Sequence, residues 1–205
     1  LKVTKIPILV VSSLGVVLVP KLTESFHTNN LVLFNALIKK SVNFVISISI
    51  PILIFFISAS SEIIYAFAGE QYKDASAVIK ILSPIVLIIG LSNIFSMQIL
   101  MPMGKDKEIM ISVLVGIVFC LILDFLLIPK FAEKGAAITN LSVELVIAII
   151  TFIYASKYLK KIVNWRFLIQ SLIFAIPSVL FIYIIKYFVS NEFLIIGLLG
   201  VVFAI

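Results

Sequence analysis

The stretch that decides the fold is residues 109–156, which read IMISVLVGIVFCLILDFLLIP-KFAEK-GAAITNLSVELVIAIITFIYAS. Two apolar runs, 109–129 and 135–156, each contain a single charged residue, and the five residues that join them carry three charges. Each run reaches the roughly 20 residues that a helix needs to cross a hydrocarbon core about 30 Å thick. The stretch therefore predicts two transmembrane helices joined by a short turn.

The same composition extends over the whole chain of 205 residues, of which 62% are hydrophobic and only 13% are charged, with a mean hydropathy of +1.28. A soluble domain is roughly half apolar and about a quarter charged, so a soluble globular protein is excluded. The ten-residue alternating segments of a membrane β-barrel are absent. We therefore expect an all-α fold, a polytopic transmembrane helical bundle.

Seven apolar stretches are predicted as membrane spans, because irregular backbone does not face lipid. The five middle stretches are long enough to cross a bilayer, whereas the first and last are short and are expected to be incomplete. The chain begins at Leu1 and stops within an apolar run, so we expect a fragment of a longer protein. The predicted spans are 6–20, 42–61, 77–102, 109–129, 135–156, 167–185 and 193–205.

The longest polar connection is the linker 21–41. Within it, Leu31, Phe34, Leu37 and Ile38 repeat at helical spacing, which predicts an amphipathic helix on the cytoplasmic membrane surface. The single histidine, His27, also lies in this linker and is expected to be solvated rather than a ligand.

The positive charges indicate the orientation of the bundle. Nine Lys and Arg residues lie in the linker 21–41, the turn 103–108 and the loop 157–166, against six in the remaining connections. The positive-inside rule places the richer set in the cytoplasm. We therefore interpret the net charge of +6 as topology and expect no nucleic-acid partner.

The sequence contains little that could support catalysis. Its one cysteine, Cys120, cannot form an intramolecular disulfide, and one histidine permits neither a metal cluster nor a Ser/His/Asp constellation. No glycine-rich phosphate loop followed by Lys-Ser or Lys-Thr is present. We expect no enzyme activity, no cofactor and no metal.

From about residue 42 to 156 the order of three motifs resembles a known family. The first is Phe67-Ala68-Gly69-Glu70-Gln71-Tyr72-Lys73-Asp74-Ala75, of the pattern FxGxxYxxA. The second is the turn that begins at Gln98 and ends Pro102-Met103-Gly104-Lys105. The third is Leu127-Ile128-Pro129-Lys130-Phe131 followed by Gly135-Ala136-Ala137-Ile138. Together they resemble the C-terminal half of Wzx-type polysaccharide flippases, in the multidrug/oligosaccharidyl-lipid/polysaccharide exporter superfamily.

The resemblance implies a fold of two six-helix lobes that face each other across a central cavity. Residues 1–156 would form most of the second lobe, and 157–205 would carry a trailing, truncated helix pair. The implied activity is alternating-access transport of a polyprenyl-diphosphate-linked oligosaccharide across the bacterial inner membrane for surface polysaccharide synthesis. The implied partners are this lipid-linked substrate, the bilayer, a coupling proton or sodium ion and the polysaccharide polymerase machinery.

Polar side chains inside the predicted spans are the candidates for the substrate or ion pathway, because ionisable groups in a bilayer usually face a cavity or a partner. Glu144 is the deepest acid, about 13 Å into its span at 1.5 Å per residue. Asp124 stands where the family often has Asn, so its role is open, and Lys80 is a candidate phosphate contact that could instead snorkel to the interface. Asn93 and Gln98 are the uncharged candidates.

Three alternatives stay open at this point. A multidrug or organic-cation antiporter of the same superfamily would need an acid-rich cavity, and one deep Glu144 is compatible with it. A peptidoglycan-precursor flippase would be expected to carry cationic cavity residues. A membrane scaffold is compatible with the sequence, whereas a membrane glycosyltransferase would need an acidic catalytic loop that none of these connections offers.

Overall fold

The computed structural model describes residues 5–158. Within this part of the chain every regular element is helical and no strand occurs, so the predicted all-α fold is confirmed. Three helical stretches are long and apolar enough to cross a membrane, Leu31–Ser58, Glu70–Leu100 and Asp106–Ser156. The predicted spans 167–185 and 193–205 lie outside the described residues.

The helices follow one another with short connections. A 3-10 turn, Glu70–Ala75, precedes α4, and a π-helical segment, Ile94–Leu100, continues α5 without interruption. The helices are α1 Lys5–His27, α2 Leu31–Ser58, α3 Ser60–Ala68, α4 Ser76–Leu82, α5 Ile85–Asn93 and α6 Asp106–Ser156.

The linker 21–41 does not form a separate helix. Its first residues end α1, its last eleven begin α2, and only 28–30 lie between them. The reason is that the apolar stripe of the linker, Phe34 and Ile38, continues at i+4 spacing into the buried Val42 and Ile46 of the following span. The linker and the span therefore share one face and one helix, and the membrane-surface position of the linker stays a prediction.

The turn between α1 and α2 is built by two asparagines. Asn29 adopts a positive φ of 57°, which Asn tolerates better than most residues. Asn30 caps α2, because its side-chain oxygen accepts a hydrogen bond from the backbone N–H of Leu33 at 3.1 Å. The rings of Phe26 and Phe34 then pack across the turn with centroids 5.9 Å apart, so α1 and α2 run antiparallel.

Replacement of the cap tests this turn. Asn30→Ala leaves the N–H of Leu33 without its acceptor and is expected to lower the free energy of unfolding by about 1 kcal/mol. Denaturant titration of helical circular dichroism in detergent measures the change. Asn30→Asp keeps the acceptor oxygen and is the control, and equal stability of Ala and Asp variants would contradict the cap.

Helix α6 is a hairpin of two arms. It breaks at Ala132, whose φ of 47° and ψ of −123° are not helical, three residues after Pro129. A Cβ at Gly135 would lie 2.5 Å from the backbone oxygen of Leu127, which is possible only if the chain folds back on itself. The arms, 106–131 and 133–156, correspond to the two apolar runs 109–129 and 135–156.

The exposed fraction of the apolar side chains differs between the core helices and the first arm of α6. The core follows α2, where Phe34, Ile38 and Val45 are almost fully buried, and continues through α4, α5 and the π segment. The first arm of α6 instead exposes large apolar side chains, including Phe125 at 83% and Leu121 at 67%. Such a surface is stable in lipid or against another apolar helix, and not in water.

Candidate functional site

The backbone hydrogen-bond ladder of the span Glu70–Leu100 is discontinuous, and this discontinuity is the frame of the candidate site. The regular bonding of α4 ends at Leu82 and that of α5 begins at Ile85, because Pro84 has no N–H, while Ser83 and Pro84 keep helical φ and ψ. The buried Ser83 hydroxyl donates to the carbonyl oxygen of Lys80 at 2.8 Å, close to the break. Broken helices inside a membrane bundle are where transporters build their binding sites.

The second irregularity of this span is its π-helical end. The N–H of Met101 donates to the carbonyl oxygen of Ser96 at 2.9 Å, a bond between residues five apart. The Ser96 hydroxyl donates in turn to the carbonyl oxygen of Ser92 at 2.8 Å. π-helical turns are rare and are found frequently at functional sites, since they shift the side chains after them relative to a regular helix.

Gln98 lies in this π segment and is a buried amide. Its side chain is 2% exposed, and its Oε1 atom has no hydrogen-bond partner among the described residues. Its Nε2 atom lies 3.1 Å from the point where a Cβ of Gly15 in α1 would be, so a larger residue at Gly15 would press on it. An unpartnered buried carbonyl costs about 1–3 kcal/mol, which the fold must offset elsewhere.

The two other candidates on this span lie in different surroundings. Asn93, the last residue of α5, is half-buried and immediately precedes the π segment that holds Gln98. Lys80 is exposed in the last turn of α4. Asn93 and Gln98 therefore lie on one continuous stretch of helix, whereas Lys80 is separated from them by the break at Pro84.

The two acids lie on opposite arms of the α6 hairpin. Asp124 is half-buried and accepts a weak hydrogen bond from the Cys120 thiol at 3.4 Å. Glu144 is half-buried with no hydrogen-bond or ion-pair partner within residues 5–158. Because Gly135 is level with Leu127, Glu144 lies about six residues, roughly 9 Å, along the axis from the level of Asp124. The two carboxylates are therefore not brought together.

The structure reveals buried hydroxyl groups that the sequence analysis did not single out. Ser41 and Ser49 on α2 and Thr139 on α6 are at most 1% exposed, and their hydroxyl oxygens have no partner among the described residues. Small hydroxyl residues inside apolar runs were the available signal. Most such residues bond back to their own helix, as Thr151 does to the Ile147 carbonyl at 2.8 Å, so spacing alone does not distinguish the unpartnered ones.

The polar groups of this arrangement are suited to recognition of polar solutes or ions. The described residues contain no group of three or more His, Cys, Asp or Glu side chains that could hold a metal. What they offer is an interrupted helix, buried amide and hydroxyl groups, and the half-buried carboxylates of Asp124 and Glu144 on the two arms of α6. Polar groups inside membrane spans are candidates for a polar-solute or ion pathway.

The sequence is similar to those of known proteins, at low identity. No family model matches the chain. A protein of Escherichia coli K12 described as an O-antigen transporter is 32% identical over 108 residues, 53% of this chain and 26% of its own length. The lipid II flippase MurJ of Bacillus subtilis is 26% identical over 142 residues, 68% of this chain and 26% of its own. The capsular polysaccharide biosynthesis protein CapF of Staphylococcus aureus is 30% identical over 148 residues, 71% of this chain and 36% of its own.

These relatives confirm the resemblance to the polysaccharide-flippase superfamily that the motifs indicated. The chain spans about a quarter to a third of the length of the relatives that it matches. Two of the three names describe a transporter or a flippase, which fits a non-enzyme. With its apolar helices, the chain is a multi-pass membrane protein related to flippases.

Proposed function

We propose that this chain is one lobe of a flippase that moves polyprenyl-diphosphate-linked oligosaccharide repeat units across the bacterial inner membrane for surface polysaccharide synthesis. The names of the E. coli and S. aureus relatives concern surface polysaccharides, and that of the B. subtilis relative a lipid-linked precursor. The mechanism is alternating access of two lobes around a shared cavity.

The observation that carries this proposal is the discontinuous span Glu70–Leu100, with its break at Pro84 and its π segment. The carbonyl of the buried Gln98 has no partner among residues 5–158, which costs about 1–3 kcal/mol, and the proline and the π turn each remove regular backbone bonds from the same span. A transporter benefits from such interruptions, because broken helices bend at defined points and their polar groups exchange partners between states.

The first arm of α6 suits a second requirement of a flippase, which is an apolar surface for the lipid tail. A flippase must give the hydrophilic glycan a polar path while the polyprenyl tail stays in lipid. The first arm of α6 exposes a continuous apolar surface, including Leu121 and Phe125. This surface is a suitable boundary for the tail, whereas the polar groups of α2 and the π segment lie in the interior.

The charges support the proposed orientation. Exposed Lys21, Lys39 and Lys40 flank the α1–α2 turn, and Lys105 and Lys107 flank the start of α6. The positive-inside rule puts these turns in the cytoplasm and the corner around Gly69 outside.

Complementation tests the proposal. The complete protein is expressed in a strain that lacks its polysaccharide flippase and, in parallel, in a strain depleted of its lipid II flippase. Restored surface polysaccharide supports the proposed substrate, and rescue of the lipid II strain alone assigns the precursor of peptidoglycan instead. Drug efflux without rescue of either strain favours the antiporter. If a normally inserted protein transports none of these substrates, a membrane scaffold is the interpretation that remains.

Glu144→Gln tests the acid of the second arm in the same assay. The substitution keeps the size of the side chain and removes a half-buried charge that has no partner among the described residues. If Glu144 contacts the glycan or a coupling ion, export is expected to fall about tenfold, the equivalent of one lost charge-assisted hydrogen bond. The matched control is Glu133→Gln, an exposed acid at the hairpin turn, and wild-type export by Glu144→Gln would make Glu144 structural.

A further inference from the structure

A pocket opens at the corner between α3 and the 3-10 turn Glu70–Ala75. It has a volume of about 80 Å³ and is open on one side, with room for roughly two or three water molecules at about 30 Å³ each. Its lining residues are Ser61, Tyr65, Gly69, Glu70 and Lys73.

The backbone of the corner is set by Gly69. Its φ of 86° and ψ of 170° lie in a region that only glycine adopts readily. No atom lies within 4 Å of where a Cβ would be, so glycine is needed here for conformation and not for close packing. The N–H of Gly69 donates to the Tyr65 carbonyl at 3.0 Å and its own carbonyl accepts from Tyr72 at 3.2 Å, which holds both sides of the pocket together.

The two charged side chains of the pocket do not neutralise each other. Glu70 and Lys73 are three positions apart in a 3-10 turn, where such side chains are stacked. They nevertheless form no ion pair within 4.0 Å, and neither has a hydrogen-bond partner in the part of the chain that the structure describes. The non-helical φ of −105° and ψ of 20° at Tyr72 turn the backbone between them. Both groups therefore stay available to a ligand.

The combination of groups selects the chemical class of that ligand. A carboxylate accepts hydrogen bonds from hydroxyl groups, an ammonium donates to hydroxyl or carbonyl oxygens, and Ser61 does either. The half-exposed ring of Tyr65 supplies an apolar face. An anion such as a diphosphate is attracted by Lys73 but repelled by Glu70, and a cation meets the reverse, so neither ion gains a large net attraction. A neutral molecule with several hydroxyl groups can form hydrogen bonds with Ser61, Glu70 and Lys73. Its apolar face can pack on the ring of Tyr65.

We propose that this pocket binds one sugar ring of the transported glycan at the mouth of the flippase. The inference rests on the proposed function, which supplies a glycan, and on the proposed orientation, which puts the corner outside the membrane. The pocket holds the leading sugar of the repeat unit as it leaves the bundle. The diphosphate is bound elsewhere.

Cysteine protection tests the pocket directly. The complete protein, in a Cys120→Ser background, carries Ser61→Cys in the pocket and is labelled with a membrane-impermeant maleimide. The probe is the soluble oligosaccharide repeat unit of the expression host, released from its polyprenyl diphosphate by mild acid. At saturation it is expected to slow labelling of Ser61→Cys about tenfold, because a pocket covers most of the surface of its ligand. Asp74→Cys, on the same turn but not lining the pocket, is expected to keep its rate.

Two further variants test the charged groups. Glu70→Gln and Lys73→Gln are each expected to raise the oligosaccharide concentration needed for protection about tenfold, since each removes a charge-assisted hydrogen bond. Asp74→Asn and Lys130→Gln are the matched controls, because both residues are exposed and lie outside the pocket. Unchanged labelling rates without sugar confirm that each variant keeps the fold of the corner.

The outcomes separate this inference from the proposed function. A protein that complements the flippase-deficient strain but shows no protection by the oligosaccharide overturns the sugar pocket and leaves the proposed function intact. Protection in a protein that restores no polysaccharide supports the pocket and refutes the proposed function. Protection that Glu70→Gln and Lys73→Gln leave unchanged overturns the pocket, because the sugar is then bound by other residues.

Discussion

Gly135→Ala is expected to prevent the two arms of α6 from packing in their native register. The added Cβ would lie 2.5 Å from the backbone oxygen of Leu127 and 2.7 Å from its carbonyl carbon, distances that real Cβ atoms do not show. Backbone atoms cannot rotate out of the way, so the arms must separate. Overpacking costs about 3 kcal/mol at the upper end of its range, against about 1 kcal/mol gained by replacing glycine with alanine in a helix. We expect a net loss of about 2 kcal/mol in stability.

Gly116→Ala is the matched control for that prediction. Its Cβ would also approach the opposite arm, at 2.7 Å from two side-chain atoms of Ile147. Those atoms belong to a side chain, which can shift more easily than the backbone atoms that face Gly135, so we expect a smaller loss than for Gly135→Ala. Thermal challenge of detergent-solubilised protein, followed by size-exclusion chromatography, compares the variants. Equal survival of Gly135→Ala and Gly116→Ala would contradict the close backbone contact.

Gln98→Met is expected to stabilise the bundle and to impair transport. Methionine matches the length of glutamine and has no carbonyl to leave unpartnered in the core. Removal of the unpartnered Oε1 is expected to raise the free energy of unfolding by about 1–3 kcal/mol. Under the proposed function the amide exchanges partners between transport states, so export is expected to fall about tenfold, equivalent to ~1.4 kcal/mol.

The combination of opposite effects separates a functional Gln98 from a structural one. Higher stability together with wild-type export would remove Gln98 from the pathway, and lower stability would mean that its oxygen has a partner in the folded protein. Gln71→Met, at an exposed position of the 3-10 turn, controls for the exchange of side chains and is expected to change neither quantity. Both quantities are measured on the same preparations, by denaturant titration and by surface polysaccharide in the complemented strain.

The sequence predicted the helical membrane fold from hydrophobicity alone, since backbone groups in lipid must be bonded within a helix. It also placed the apolar runs that become the two arms of α6. The motif residues Gly69, Gln98 and Gly135 were identified by their order along the chain, and the structure shows what each does. Gly69 permits a left-handed corner, Gly135 allows backbone contact and Gln98 lies buried in a π segment.

The linker 21–41 was predicted to be an amphipathic helix on the membrane surface; in the structure its residues belong to the ends of α1 and α2, and its place at the membrane surface stays a prediction. Charge and apolar spacing describe a local stripe, but whether a helix stops at Lys40 or continues depends on what the stripe packs against. Here Phe34 and Ile38 lie in the same core as Val42 and Val45, so the helix continues through them. The local sequence pattern does not show which residues the stripe will contact in the folded protein.

By itself, the sequence determined that this is a helical membrane protein related to flippases, because bilayer insertion and family motifs are properties of composition and order along the chain. Only the tertiary structure decided which polar groups lack partners. Asp124 and Glu144 look alike in sequence, yet one accepts a bond from Cys120 and the other has no partner among residues 5–158. The pocket beside Gly69 likewise exists only when α3 and the 3-10 turn meet. Hydrogen bonds and cavities depend on the distances between residues. Those distances are set by the packing of helices and by turns of the backbone.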